Sequence, residues 1–118
     1  MPVTIQQEEG GLIVMRMTGL ARKSEMDAAL GAEARKWGPA TRIRALVIME
    51  DFKGFERGAD WGDIAFLVKH DQQIEKIAIV ADRKWETDAL VFAGAGFRKG
   101  EVKFFPQNQL AQARTWLG

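Results

Sequence analysis

The sequence predicts a single α/β domain spanning residues 1–118, with a mixed, mainly parallel sheet, an N-terminal β-hairpin and about four helices. Three observations carry this prediction. Two apolar segments at the start are separated by a turn with two glycines, as in a hairpin. The segments Ala45-Leu46-Val47-Ile48-Met49 and Lys76-Ile77-Ala78-Ile79-Val80-Ala81 are apolar without alternation beyond their ends, the character of strands covered on both faces by helices. Helical spacing fills the intervals between them, which requires right-handed crossovers and parallel pairing.

The elements follow in order. Val3–Gln6 and Leu12–Thr18 read as strands around a Glu8–Gly11 turn. Ser24 opens a helix, because Ser24-x-x-Asp27 resembles a capping box with the shorter acid in place of Glu. Met26, Ala29, Leu30 and Trp37 recur at helical spacing until Gly38-Pro39; Glu33 falls on the same stripe and is a mismatch. Arg42–Glu50 is the next strand, followed by a helix from about Asp60 to His70. Lys76–Ala81 is a buried strand, and Lys84–Ala93 a helix ended by Gly94 and Gly96. Val102–Phe105 forms a last strand, Pro106 breaks the chain, and Asn108 caps a final helix with Leu110, Ala113 and Leu117 inward.

Composition narrows the function classes. Seventeen basic and sixteen acidic side chains give a formal charge of +1, and the basic residues are scattered, which argues against nucleic acid as a partner. There is no cysteine and one histidine, His70, so neither a disulfide framework nor a zinc or copper centre is expected. The N-terminus lacks the pattern of a signal peptide, and no apolar run approaches the roughly 20 residues of a membrane span. The expected setting is the bacterial cytoplasm, with no cofactor.

Recognisable catalytic chemistry is missing. Ser24 is the only serine and is read as a cap, no G-x-S-x-G elbow exists, and Gly94-Ala95-Gly96 closes a helix instead of following a strand. Glu50, Asp51, Glu56, Asp60 and Asp63 lie close in sequence and could hold a hard cation at a strand end. The plainer reading places Asp60 and Asp63 in a first helical turn and Glu50 and Asp51 at a solvated strand exit. His70 fits a last helical turn near free carbonyls. The protein is therefore expected not to be an enzyme.

Apolar excess on two helices is the more informative signal. Trp61, Ile64, Ala65 and Val68 make a core stripe, yet Phe66 lies roughly 140° from Trp61, at about 100° per residue, and Leu67 sits on the far flank. In the next helix Trp85, Ala89 and Phe92 align while Leu90 and Val91 fall outside. Three readings compete: burial beneath neighbouring helices, a homodimer surface, or the lining of a cavity for a nonpolar guest.

Three blocks resemble one family. Phe52-Lys53-Gly54-Phe55 followed by Ala59-Asp60-Trp61-x-Asp63-x-x-Phe66-x-x-x-His70 is similar to the F-x-G-W…A-W-x-D-x-x-F-x-x-x-H pattern of the SpoIIAA-like proteins. Lys76–Ala81 with Asp82-x-x-Trp85-Glu86, and Glu101–Phe105 with Ala113-x-x-Trp116-Leu117, resemble two further segments of that family. The resemblance implies a STAS-like domain, and a carrier of nonpolar molecules whose two middle helices swing apart. The sequence departs from the pattern at Phe55, where tryptophan is usual, and at Ala81, where glycine is usual. The serine that STAS regulators phosphorylate after the third strand has no counterpart, since Phe52–Asp63 contains neither serine nor threonine.

The expected function is non-enzymatic binding of a nonpolar small molecule or lipid between the two middle helices. Trp61, Phe66, Leu67, Trp85, Leu90 and Phe92 are the expected walls, and Phe52 and Phe55 the lid. The alternative is a STAS-type protein-interaction module without a phosphoserine switch.

Overall fold

A computed structural model describes residues 3–61, 69–94 and 100–118. Five strands form one sheet in chain order: β1 (Val3–Glu8), β2 (Leu12–Ala21), β3 (Ile43–Phe55), β4 (Ile74–Ala81) and β5 (Glu101–Pro106). β1 and β2 are the antiparallel hairpin, and β2 to β5 run parallel. The sheet is therefore mixed and mainly parallel, as expected. The helices are α1 (Lys23–Ala34), α2 (Glu86–Phe92) and α3 (Leu110–Leu117). Three α-helices are thus described, against about four expected. The expected Asp60–His70 helix falls mostly on residues 62–68, which lie outside the described residues, as do Asp63 and Gly96.

The strand register explains the unbroken apolar runs. Ile5, Met15, Val47, Ile79 and Phe104 pair across all five strands, and they belong to the larger core. One residue back, Val14, Leu46 and Ala78 pair on the opposite face and belong to a smaller core with Phe105, Ala113 and Leu117. Successive residues point to opposite faces, so a strand covered on both must be apolar at both. α1 and α2 pack with the larger core, and α3 closes the smaller one.

Local expectations fail at the starts of all three described helices. Ser24 is not the cap of α1: Arg22 holds the cap position without a side-chain bond, and Ser24 lies inside the first turn. The backbone N–H of Lys23 donates instead to Glu56 Oε1 at 3.2 Å, from the far end of β3. Asn108 likewise sits inside a 3₁₀ turn, Gln107–Gln109, that leads into α3 without a side-chain cap. At α2 a 3₁₀ turn, Arg83–Trp85, replaces the first turn expected to be α-helical, and Asp82 Oδ1 caps it by accepting from the Lys84 N–H at 3.0 Å. Gly94, at φ +77°, ends α2 as expected.

Candidate functional site

The carboxyl end of β3 builds the aromatic part of the site. The strand runs five residues past the expected exit at Glu50, and it does so through irregular pairing. Thr18 pairs with Glu50, Gly19 with Phe52 and Leu20 with Gly54, so Asp51 and Lys53 are extra residues in β3. Such bulges re-aim side chains. Asp51 takes φ +50° and is exposed, whereas Phe52 turns inward and is 6% exposed. Gly54 has φ +119°, and a Cβ there would meet Trp85 Cη2 at 3.4 Å.

These turns gather a chain of rings. Phe52 lies 5.0 Å from Trp85 and 5.0 Å from Phe55 between ring centroids, both edge-on. Phe55 in turn meets Trp61 at 5.1 Å and Phe92 at 5.5 Å, and Trp61 meets Phe92 at 6.2 Å. Edge-to-face pairs at this spacing contribute about 0.5–1.5 kcal/mol each beyond their buried area. Glu56 fixes the position of Trp61. Its N–H donates to Ala21 O at 2.8 Å, its carboxylate caps α1, and its carbonyl accepts from Trp61 Nε1 at 2.8 Å.

Beside the rings, between α1 and the sheet, lies a cavity of about 90 Å³. Its floor includes the paired residues Ile13, Ala45 and Ile77, with Ile43 and Ile74 at the starts of their strands. Met26 and Leu30 of α1 form its roof. Trp37 borders it on one side and Trp61 with Phe92 on another. Its charged lining groups, Lys23 and Asp27, pair with each other at 2.8 Å.

Two outer hollows adjoin the cavity through shared side chains. A groove of about 210 Å³ is lined by Phe55, Trp61, Asp88, Val91 and Phe92, with Val91 68% exposed. A wider, polar dish of about 590 Å³ is lined by Trp37, Gly38, Pro39, Arg42, Lys69, Asp71, Gln72 and Gln73. Trp37 therefore stands between dish and cavity, and its orientation is set by Glu33, whose Oε2 accepts from Trp37 Nε1 at 3.3 Å. This explains the mismatch in the α1 stripe: Glu33 is only 3% exposed, and its other carboxylate oxygen lies 3.8 Å from Lys36 Nζ. Trp37 also meets His70 edge-on at 5.2 Å, and His70 Nδ1 lies 2.8 Å from Gln73 Oε1.

Of the residues expected to form the site, Phe52, Phe55, Trp61, Trp85 and Phe92 are brought together. Trp61 and Phe92 line both cavity and groove, Phe55 lines the groove, and Phe52 and Trp85 pack behind them. Leu90 packs against the larger core and lines none of the three hollows. Phe66 and Leu67 lie outside the described residues. The roof from α1 and the strand floor were missed, although Met26, Leu30 and Trp37 stood on one stripe in the sequence.

The acids serve structural roles or face solvent. Glu50 pairs with Arg16 at 2.8 Å, Glu56 and Asp82 cap helices, and Asp51 and Asp60 are exposed. Among the described residues no group of three or more His, Cys, Asp or Glu is placed to hold a metal ion. Nor is any described helix long and apolar enough to cross a membrane.

Comparison with solved structures finds a similar chain in Shewanella loihica PV-4, an uncharacterised protein from the DUF3478 family with a SpoIIAA-like fold. The two share 23% identity and a TM-score of 0.71, over 98% of this chain and 92% of that one. At that identity the likeness establishes the fold. No curated protein matches. The SpoIIAA-like family model matches residues 12–118, which takes in four of the five strands, all three helices and every residue of the aromatic cluster. The chain therefore belongs to the SpoIIAA-like family.

Proposed function

We propose that this domain is a non-enzymatic binder of a small nonpolar molecule, or of the nonpolar end of a lipid, on the face of the sheet covered by α1 and α2. The observation that carries the reading is the cavity of about 90 Å³, walled by aliphatic side chains and bordered by the Trp61–Phe92 pair that also lines the outer groove. Burial of apolar surface drives such binding at about 25 cal/mol per Å², and a wall of paired rings can admit a guest by rotamer change. The size limits the guest. Apolar cavities of about 150 Å³ accept benzene, so this one takes a chain end or branch, with the rest of the guest in an adjoining outer hollow.

Titration with 1-octanol tests the reading. The expected result is saturable binding that Ala45→Leu weakens at least about tenfold by filling the floor. Equal affinity in that variant, with its fold intact, would remove the cavity as the site.

A second reading is supported by the exposure of Val91 and Leu20, at 68% and 41%. A STAS-type interaction module would use such apolar positions against a protein, a second copy included. Val91→Glu separates the two: loss of a partner or of a dimer with octanol binding unchanged favours the module.

A further inference from the structure

The dish and the groove meet the same cavity but differ in charge. Among the described residues, Arg42 and Lys69 line the dish together with one acid, Asp71, whereas the sole charged group lining the groove is Asp88. Inside the cavity Lys23 and Asp27 neutralise each other. Arg42 Nη1 donates to the carbonyls of Thr41 at 3.1 Å and Pro39 at 3.4 Å, which orient the guanidinium without pairing its charge to an acid. Among the described residues neither Arg42 nor Lys69 forms an ion pair with an acid. Gln73 also holds the loop, its Nε2 donating to Gly38 O at 2.9 Å. Trp37, shared by dish and cavity, places a polar, net-positive hollow directly beside an apolar one.

From this juxtaposition we infer that the dish is a head-group site for an anionic single-chain amphiphile, a carboxylate or a phosphate monoester, whose tail passes Trp37 into the cavity. The inference rests on the nonpolar-guest reading and adds the head group to it. The volumes agree with this division: the cavity holds only the end of a chain, and the more open dish is several times larger. Anions are attracted to a hollow lined by two cations, and the bidentate fork of arginine suits both carboxylate and phosphate. The groove is excluded as the head site because Asp88 would repel the same anion.

Calorimetric titration of the intact chain with sodium octanoate, octyl phosphate and 1-octanol tests the inference. Either anion should bind about tenfold more tightly than the alcohol at low ionic strength, with the advantage shrinking as salt is added. Arg42→Gln and Lys69→Gln should each remove part of that advantage, and together nearly all of it, while octanol affinity stays unchanged. Preference for octanoate would assign the dish to fatty acids, and preference for octyl phosphate to phosphate monoesters. If octanol binds as tightly as both anions, or the double variant keeps the anion preference, the dish is not the head site and the nonpolar-guest reading survives. If no compound binds, both readings fall. Since Arg42 also orders its own loop, Lys69→Gln alone decides the matter should Arg42→Gln disturb the fold.

Discussion

Ala45 is the smallest side chain on the row it shares with Ile13 and Ile77, and the hollow owes its floor to that difference in size. Two added carbons in Ala45→Val should fill part of the space and raise stability by about 1 kcal/mol in urea unfolding, from about 0.8 kcal/mol per buried methylene less some strain. A loss of about 1–3 kcal/mol would instead be the mark of overpacking, and would mean that the floor is already close-packed. Glu56 is the other residue on which the site depends. Glu56→Ala should cost about 1 kcal/mol as a lost cap, while Ser24→Ala should stay within about 0.5 kcal/mol. Equal effects of the two would return the capping role to Ser24. A reading of local motifs reaches Ser24 and not Glu56, because the true cap is thirty-three residues away in the chain and only the fold brings it near. Glu33 was visible as an anomaly for the opposite reason: its stripe was clear, but the indole it holds could not be inferred from spacing.

At the scale of elements, the strands were legible in their buried middles and not at the bulged end. The runs at 45–49 and 77–81 are apolar because both faces of β3 and β4 are covered, and that is a property of the local sequence. From the sequence the end of β3 reads as a loop with a lid, since two acids followed by Phe-Lys-Gly-Phe break any regular alternation. The pairing with β2 persists there because Asp51 and Lys53 are absorbed as bulges. Phe52 and Phe55 therefore come from a strand end and not from a loop, while Phe92 lies on a helix as expected. Gly54 is the test of that geometry. Its φ of +119° suits glycine alone, and an added Cβ would stand 3.4 Å from Trp85. Gly54→Ala should lower stability by more than about 1 kcal/mol and alter the near-ultraviolet circular dichroism of the ring cluster. An unchanged spectrum and midpoint would place the segment in a relaxed loop.

Across the whole molecule the sheet divides two tasks. The larger core carries the cavity and the rings, whereas among the described residues the smaller core under α3 contains none that line the three hollows. Arg44 adds a tie on that side of the architecture, donating from one guanidinium to the carbonyls of Gly10, Leu117 and Gly118 and so joining the hairpin turn to the end of α3. Stability and binding should therefore separate across the sheet. Leu117 is 3% exposed and packs with Leu46, Ala78 and Ala113, so Leu117→Ala should cost about 2–4 kcal/mol. A domain of this size has roughly 5–15 kcal/mol in hand, so the variant remains folded at room temperature and can be titrated. Its octanol affinity should equal that of the parent chain, because the far core touches the guest only through the rigid sheet. Met26→Ala, on the near side, should lower stability by a comparable amount and weaken octanol as well, since it removes part of the cavity roof. Were Leu117→Ala to weaken octanol as strongly as Met26→Ala, the two cores would be one cooperative unit with respect to the guest, and the sheet would transmit rather than partition.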